Sequence, residues 1–545
     1  MYRRRSRARK NRFLLFTVIV VLLGSIWMFS RTRGPYHGYE LDVMIPDITA
    51  LSTTLDTDNL HVGVAKRDIT PRLRINGEIL PAPADSLSTD PPDDAEIFDR
   101  IWLAGFSNNR SATGVNDPLW VRAIALRNNG VTLVLVTIDS VGIYHNDFIY
   151  VRKGVNPDLG IDHIAFSTTH THSAPDTMKL WSGRVPFFGF DSRYLEWVRT
   201  STIEAVEEAV LALEPAEMYY TQVRIEPEGF VRDSRNPVVM DDHMYLMHFV
   251  RPGTEGGEDI ETIPNLQKET IATFVNWGNH PEVLDGKNQH ITSDFSHWLR
   301  KGLEEGVPAP YGISGFGGMC LYFQGQLGGL MTPLGMEVPH RDGERMFKDA
   351  TFEKAESLGY NLAIVANSAL RSADVRKNEN PLIAVAARTI RAPLQGYFRW
   401  AIKLGLIHEG YYSGGKAKTE INVIRIGDVL MLTIPGEIYP EIVEGGIVAL
   451  EGRDFPIDPV EVPPLRTYMN AEASMAMVLG LANDEIGYII PKSQWDTKKP
   501  WVYEKKQYGE INSGGPDVAP VIYNESRDLL EDMNEAWRNN FRSMQ

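Results

Sequence analysis

Residues Phe166 to Asp176 read FSTTHTHSAPD, two histidines one residue apart behind a short apolar run. If that run is a strand, side chains alternate between its faces, so His170 and His172 share one side and Thr169 and Thr171 the other. Paired imidazoles offer two kinds of chemistry. They can share a metal ion, or one can bind it while its neighbour handles a proton. A metal needs further ligands, and three other segments carry suitable groups. TFVNWGNHPEVL ends an apolar run on His280, TIPGEIYPEIVEGG places Glu437 directly after a Pro-Gly turn, and GLANDEIGYIIP sets Tyr488 among small residues. Loops at strand ends are where positioned functional residues gather. Each of the three also has a structural reading: a core histidine, an acid favoured by a helix N-terminus, and a core aromatic.

The elements that must position these groups are strands and helices in irregular alternation. LHVGVAKRDITP starts the body as a strand ending in a proline turn, and LPAPADSLSTDPPDDAE reads as an exposed loop. WVRAIALRNNGVTLVLVTIDS predicts a hairpin around Asn-Asn-Gly, with Asp139 and Ser140 at the exit of a buried strand. YLEWVRTSTIEAVEEAVLAL carries apolar residues at helical spacing and is stopped by Glu-Pro. EMYYTQVRI, HMYLMHFV, TIATFVNWG and INVIRIGDVLMLTIPG read as strand, ERMFKDATFEKAESLGYNLAIVANSALRSA as helical, and ESRDLLEDMNEAWRNNFRSM as a closing amphipathic helix. This order predicts an α/β fold, one large mixed α/β domain over residues 59–545, and excludes a solenoid or propeller, for which no regular period exists.

Composition narrows the function classes. Of 545 residues 43% are hydrophobic and 23% charged, enough apolar material for a large core. A formal charge of −16 argues against nucleic-acid binding, which wants a basic surface. The single cysteine, Cys320 in GFGGMCLYF, rules out a disulfide within the chain, and its apolar setting predicts a buried, inert thiol rather than a nucleophile. One end differs from the acidic body. Residues 1–12 hold seven Arg or Lys, and Phe13 to Phe29 are 17 residues without a charge. The pattern predicts an uncleaved transmembrane signal anchor over 13–29, with the N-terminus cytoplasmic, a stalk over 30–58, and the body exported to the periplasmic or extracellular side.

In their order along the chain, VGVAKRDITP, DPLWVRAIAL, STTHTHSAPD, FVRDSRNPVVMDDHMYLMHF, FVNWGNHPEV, IPGEIYPEI and GLANDEIGYIIP resemble the neutral ceramidase family, the non-lysosomal zinc amidases that cleave the N-acyl bond of ceramide. The resemblance runs from about His61 to about Pro516. It implies a Zn2+ ion held by His170, His280, Glu437 and Tyr488. Two imidazoles and a carboxylate suit zinc and leave room for a water acidified on the metal to about pKa 7. His172 is then placed to move a proton or hold the oxyanion. The resemblance also carries Arg232 toward the substrate head group, with Arg235 as a competitor, and Tyr508 to the oxyanion.

The chain departs from the family in places that bear on substrate. The family's serine in N-x-G-D-V-S-P-N faces FQGQLGGLMTP, leaving Gly328 or Gly329 and no serine, and Gln326 replaces the aspartate. HITSDF keeps Ser293 and Asp294 of another family segment without its flanks, and the expected C-terminal immunoglobulin-like domain has no counterpart. Aromatic-rich stretches, KLWSGRVPFFGF and GYFRWAIKLGLIHEGYYSGG, suit an apolar or a sugar-bearing ligand. The expectation is a membrane-anchored, zinc-dependent hydrolase of an amide in a small-molecule or lipid substrate such as ceramide. The alternatives are a zinc hydrolase of another amide or ester, and a catalytically silent binding protein on the same fold.

Overall fold

The runs VTLVLVTI, TIATFVNW and VLMLT are apolar at nearly every position, the pattern of strands covered on both faces. In the computed structural model of the protein all three are fully buried strands, Val131–Ile138, Thr270–Trp277 and Val429–Thr433, each inside a different sheet. The structure describes residues 2–31, 34–46, 59–87, 96–182, 190–253, 269–340, 342–403, 411–412 and 415–540.

The three sheets share one plan. Val131–Ile138 pairs antiparallel with Trp120–Asn128 and parallel with His163–Thr168. Thr270–Trp277 pairs antiparallel with His243–Val250 and parallel with Met319–Gln324. Val429–Thr433 pairs antiparallel with Lys416–Ile426 and parallel with Met475–Leu479. Inner-face residues of all three, among them Leu133, Phe274, Leu321, Met431 and Met477, form one shared core. Alternate residues point outward under helices: Val134 and Val136 under Ser192–Leu211, Val275 and Tyr322 under Phe295–Glu304 and Phe352–Leu370, and Leu430 and Leu432 under Val518–Asn540. Each such Leu or Val contributes about 1.5–3 kcal/mol relative to the exposed state.

Polar ties lock the sheets together where their parallel pairs end. Asn276 Nδ2 donates to the carbonyls of Phe323 and Gln324 in its own sheet and of Val478 in the next, at 3.2, 3.0 and 2.9 Å. Thr137 Oγ1 donates to Tyr322 O at 2.7 Å, and Ser167 Oγ to Gly480 O at 2.9 Å. The backbones meet so closely that a Cβ on Gly480 would lie 2.3 Å from Gly325 O. Three strand pairs from three sheets therefore end at one place, and that place holds the site.

Local readings hold in most elements. The Asn128–Gly130 turn forms with positive φ at Asn129 and Gly130, and the helix at 192 is capped by Asp191, whose carboxylate accepts from Arg193 N. INVIRIGDVLMLTIPG is two strands broken at Gly427, where φ is 54°. The helix expected from Glu344 starts at Phe352, because Met346–Phe347 pairs with Val338–Pro339 and Thr351 caps the next turn.

The membrane-spanning reading of residues 13–29 is not supported. The segment is helical, within Tyr2–Arg31, and its apolar side chains from Phe13 to Trp27 are exposed, yet among the described residues no helix is long and apolar enough to cross a membrane. Seventeen uncharged residues rise about 25 Å, against a hydrocarbon core of about 30 Å. Within the segment read as a stalk, Asp42–Ile45 adds an antiparallel edge strand to Ile383–Pro393. Residues 32–33 and 47–58 of that stalk lie outside the described residues, as do parts of the loops read at 80–96, 179–190 and 396–415.

Candidate metal centre and active site

The strand carrying the paired histidines stops at Thr168. His170 lies beyond it with φ of 64°, a left-handed conformation uncommon outside glycine. Strand alternation therefore does not place the two imidazoles; a pinned turn does. Its backbone is held by Thr169 N to Ile138 O and His170 N to Ser140 O, both 2.9 Å, and by His172 N to Pro281 O at 3.1 Å. Thr169 Oγ1 also donates to Asp139, whose carboxylate is clamped by the buried Arg300 at 2.9 and 2.8 Å. The ring centroids of His170 and His172 end up 4.9 Å apart.

His280 follows the second sheet's strand Thr270–Trp277, and Glu437 and Tyr488 sit on the two chain segments that leave the third, paired there in a short ladder of their own. His170 Nδ1 donates to Val141 O at 2.5 Å and His280 Nδ1 to Met331 O at 2.7 Å, which leaves both Nε2 lone pairs free to face the centre. Glu437 Oε2 lies 3.1 Å from His280 Nε2 and 3.7 Å from His170 Nε2, and Tyr488 Oη lies 3.5 Å from His280 Nε2. Nitrogen and oxygen ligands about 2.0–2.1 Å from a tetrahedral metal sit about 3.3 Å from one another, so this donor set fits a divalent cation. The ligand atoms of His170, His172 and His280 also lie within 4.8 Å of one another. Burial holds all three histidines below their usual pKa, His170 at about 4 with Glu437 opposing, so the imidazoles are neutral and ready to ligate. Burial raises Glu437, with His170 opposing, and raises Tyr488 further.

His172 has a neighbour that the motif did not announce. Glu282 Oε2 stands 3.3 Å from His172 Nδ1, while Glu282 Oε1 accepts from Thr332 Oγ1 at 2.5 Å. Phe106 packs edge-on against the His172 ring at 4.9 Å, and Arg110 donates to the His172 carbonyl. A Cβ on Gly105 would lie 2.4 Å from the ring, so a glycine is required there. Burial pushes Glu282 up to about 7.

The centre opens into a cavity of about 200 Å³ lined by His170, His172, Glu437 and Tyr488 together with Tyr144, Leu180, Trp181, Leu394 and Phe398. Tyr508 lines it too, its ring 5.7 Å from that of Tyr488 and its hydroxyl accepting from Asn512 Nδ2 at 3.0 Å. Arg232 does not line it. It is exposed, on the two-residue strand Arg232–Asp233 that pairs with Met331–Thr332. Arg235 is buried instead, bidentate to Glu510 at 2.9 and 3.1 Å and donating to the Tyr508 carbonyl at 2.5 Å, so it props the tyrosine rather than touching the cavity.

Gly328 is packed against the short ladder that carries Glu437. A Cβ there would lie 2.4 Å from Tyr439 Cδ1 and 2.5 Å from Ile438 O, so the backbone that presents Glu437 fills the space a serine would need. Gly329 has φ of 75°, Gln326 Nε2 donates to Asp241 and Glu444 at 2.9 and 2.6 Å, Ser293 Oγ donates to Asp139 at 3.0 Å, and Asp294 caps the helix Phe295–Glu304. Burial raises the Cys320 thiol to about 12, in keeping with an inert role. Two further acids, Asp484 and Glu485, line the cavity. Sequence reading passed over these and Glu282, although they lie inside the same two motifs as Tyr488 and His280.

No family model matches the chain, and no curated protein does. The fold does match solved structures. The neutral ceramidase from Pseudomonas aeruginosa superposes with a TM-score of 0.60 at 16% identity over 88% of this chain and 75% of that one. A ceramidase complexed with C2 superposes with a TM-score of 0.60 at 14% identity over 88% of this chain and 76% of that one. The chain has a neutral-ceramidase-like fold, with a sequence far diverged from those two structures.

Proposed function

We propose that this protein is a zinc-dependent amidohydrolase that cleaves an N-acyl bond of a lipid, ceramide or a related molecule. One observation carries the reading: His170, His280, Glu437 and Tyr488, carried by segments that leave three sheets, converge with neutral imidazoles beside a cavity whose other walls are largely apolar. The ceramidase-like fold supports it. His170, His280, Glu437 and Tyr488 would hold the zinc, which supplies Lewis-acid activation of water and of the scissile carbonyl.

The rest falls to the chain's own groups. The carbonyls of Val141 and Met331 fix the tautomers of His170 and His280. His172, steadied by Glu282, exchanges a proton through its second ring nitrogen and carries it toward the leaving nitrogen. The Tyr508 hydroxyl faces the same cavity and donates to the oxygen on which charge develops. Aromatic and aliphatic walls take up an acyl chain and exclude water. The glycine at 328 removes any step that needs a serine there.

The exposed apolar helix that follows a basic stretch supports a second part of the proposal, association of the chain with a lipid surface. Membrane fractionation of cells tests it. The central test is metal content of the full chain in detergent. One zinc per chain, lost in His170→Ala and Glu437→Ala together with hydrolysis of fluorogenic N-acyl substrates, is expected. Folded wild type without metal would overturn the metallohydrolase reading and leave a binding protein on this fold.

A further inference from the structure

Asp484 and Glu485 are an anomaly in a largely apolar cavity. Both are buried and line it beside Tyr488. Glu485 Oε1 accepts from Gly487 N at 2.8 Å, and Asp484 Oδ1 accepts from His145 N and Glu485 N at 3.0 and 2.9 Å. The second oxygen of Glu485, Oε2, has no hydrogen-bond partner, while the buried Thr419 hydroxyl faces the Asp484 carboxyl. Among the described residues neither acid takes part in an ion pair. Room is kept for them: a Cβ on Gly142 would lie 2.7 Å from Glu485 Cγ.

Buried carboxyl oxygens without a donor are costly, and a charged one more so, unless something pairs with them. Glu437 sets one negative charge against a divalent cation at the histidines, and Asp484 and Glu485 bring two more to the same cavity, one more than such a cation balances. Burial raises both, in line with acids that wait for a partner. A hydroxyl would satisfy the Glu485 oxygen alone. An ammonium group, with three donors and a positive charge, satisfies it and pairs with both acids.

We infer that Asp484 and Glu485 form a subsite for a protonated amine, so that the substrate is an N-acyl compound whose leaving half carries a second, cationic amine. This rests on the amidohydrolase reading above. The carboxylates then select that substrate by charge pairing in a dry pocket, while the apolar wall formed by Trp181, Leu394 and Phe398 takes up hydrocarbon.

The experiment uses the full chain in detergent, zinc-loaded, and three amides with one acyl chain. Their leaving halves end in ammonium, hydroxyl or methyl. The expected result is a kcat/KM at least tenfold higher for the ammonium amide, with the ratio collapsing toward one in both Glu485→Gln and Asp484→Asn. Preference for the hydroxyl amide, no preference, or an ammonium preference that survives in both variants overturns the inference. Binding of dodecylammonium against dodecanol, measured by titration calorimetry, needs no turnover and so separates this idea from the reaction. At least tenfold tighter amine binding that falls in the acid variants supports the subsite even if no amide is cleaved. Amine binding that persists in both acid variants but disappears in metal-free His170→Ala assigns the amine to the metal and overturns it. Thermal melting shows which variants are folded, and either acid variant suffices.

Discussion

Glu437 and Tyr488 face each other as Cα partners in a parallel ladder only two residues long, with Ile438 opposite Ile489. Glu437 N donates to Gly487 O and Tyr439 N to Ile489 O, both at 3.2 Å. Two distant loops are thereby set in register so that a carboxylate and a phenol reach the same point. Tyr488→Phe keeps the buried ring and removes only the hydroxyl. We expect zinc affinity to fall by at least the roughly 10–100-fold that loss of an outer-shell partner costs, with little change in melting temperature, as read by competition with a chelator.

Placing a serine at Gly328 should fail. Gly328→Ser drives a Cβ into Tyr439 and the Ile438 carbonyl, next to Glu437. Overpacking of this kind costs about 1–3 kcal/mol. Denaturant unfolding should show that loss, and turnover of N-acyl substrates should drop rather than rise. A stable variant with higher turnover would show that the backbone at Ile438 yields.

The two arginines of FVRDSRNP should behave in opposite ways. Arg235 is buried against Glu510 and carries the Tyr508 carbonyl, so Arg235→Met leaves a buried acid unpaired at a cost of about 3–5 kcal/mol. Arg232 is exposed, so Arg232→Ala should change stability by less than about 0.5 kcal/mol and leave kcat/KM within twofold. A large fall in kcat/KM for Arg232→Ala would return that residue to the substrate.

Acid sensitivity should trace partly to His163. It is fully buried beside Arg152, its Nε2 donates to Asn422 Oδ1 at 2.9 Å, and burial, reinforced by Arg152, lowers its pKa to about 4. A group with a folded pKa below its unfolded value near 6.5 takes up fewer protons when folded, so its contribution is complete above pH 6.5 and is lost as pH falls toward 4. The shift corresponds to roughly 3 kcal/mol. His163→Gln keeps a donor for Asn422 and cannot titrate. The stability difference between wild type and variant should therefore shrink by about that amount between pH 7 and pH 4, followed by urea unfolding at each pH. A constant difference would mean that burial leaves the His163 pKa at its unfolded value, and a difference that grows toward pH 4 would mean that the imidazole is charged in the fold.

Much of this was legible along the chain, for physical reasons. Runs apolar at every position, such as Val131–Ile138, announce strands buried on both faces, and Asn129-Gly130 has few conformations other than a tight turn. His170 and His280 could be picked out because each follows an apolar run where a backbone leaves a sheet, Glu437 because it follows a Pro-Gly turn, and Tyr488 by its small neighbours, while the set of four came from the family resemblance. Their convergence could not be read, since it depends on three sheets meeting through contacts such as Asn276 to Val478 and the glycine at 480. The reach of a side chain was equally hidden. Arg232 and Arg235 lie in one motif, and burial alone sends the second inward and leaves the first in solvent. Local patterns thus decide which residues stand at strand ends, because periodicity and turn chemistry act between neighbours in sequence. Which of them share a cavity, that Glu282 stands by His172, and that Gly328 has no room for a side chain were decided by packing between residues far apart in the chain, and packing has no signature in any single stretch.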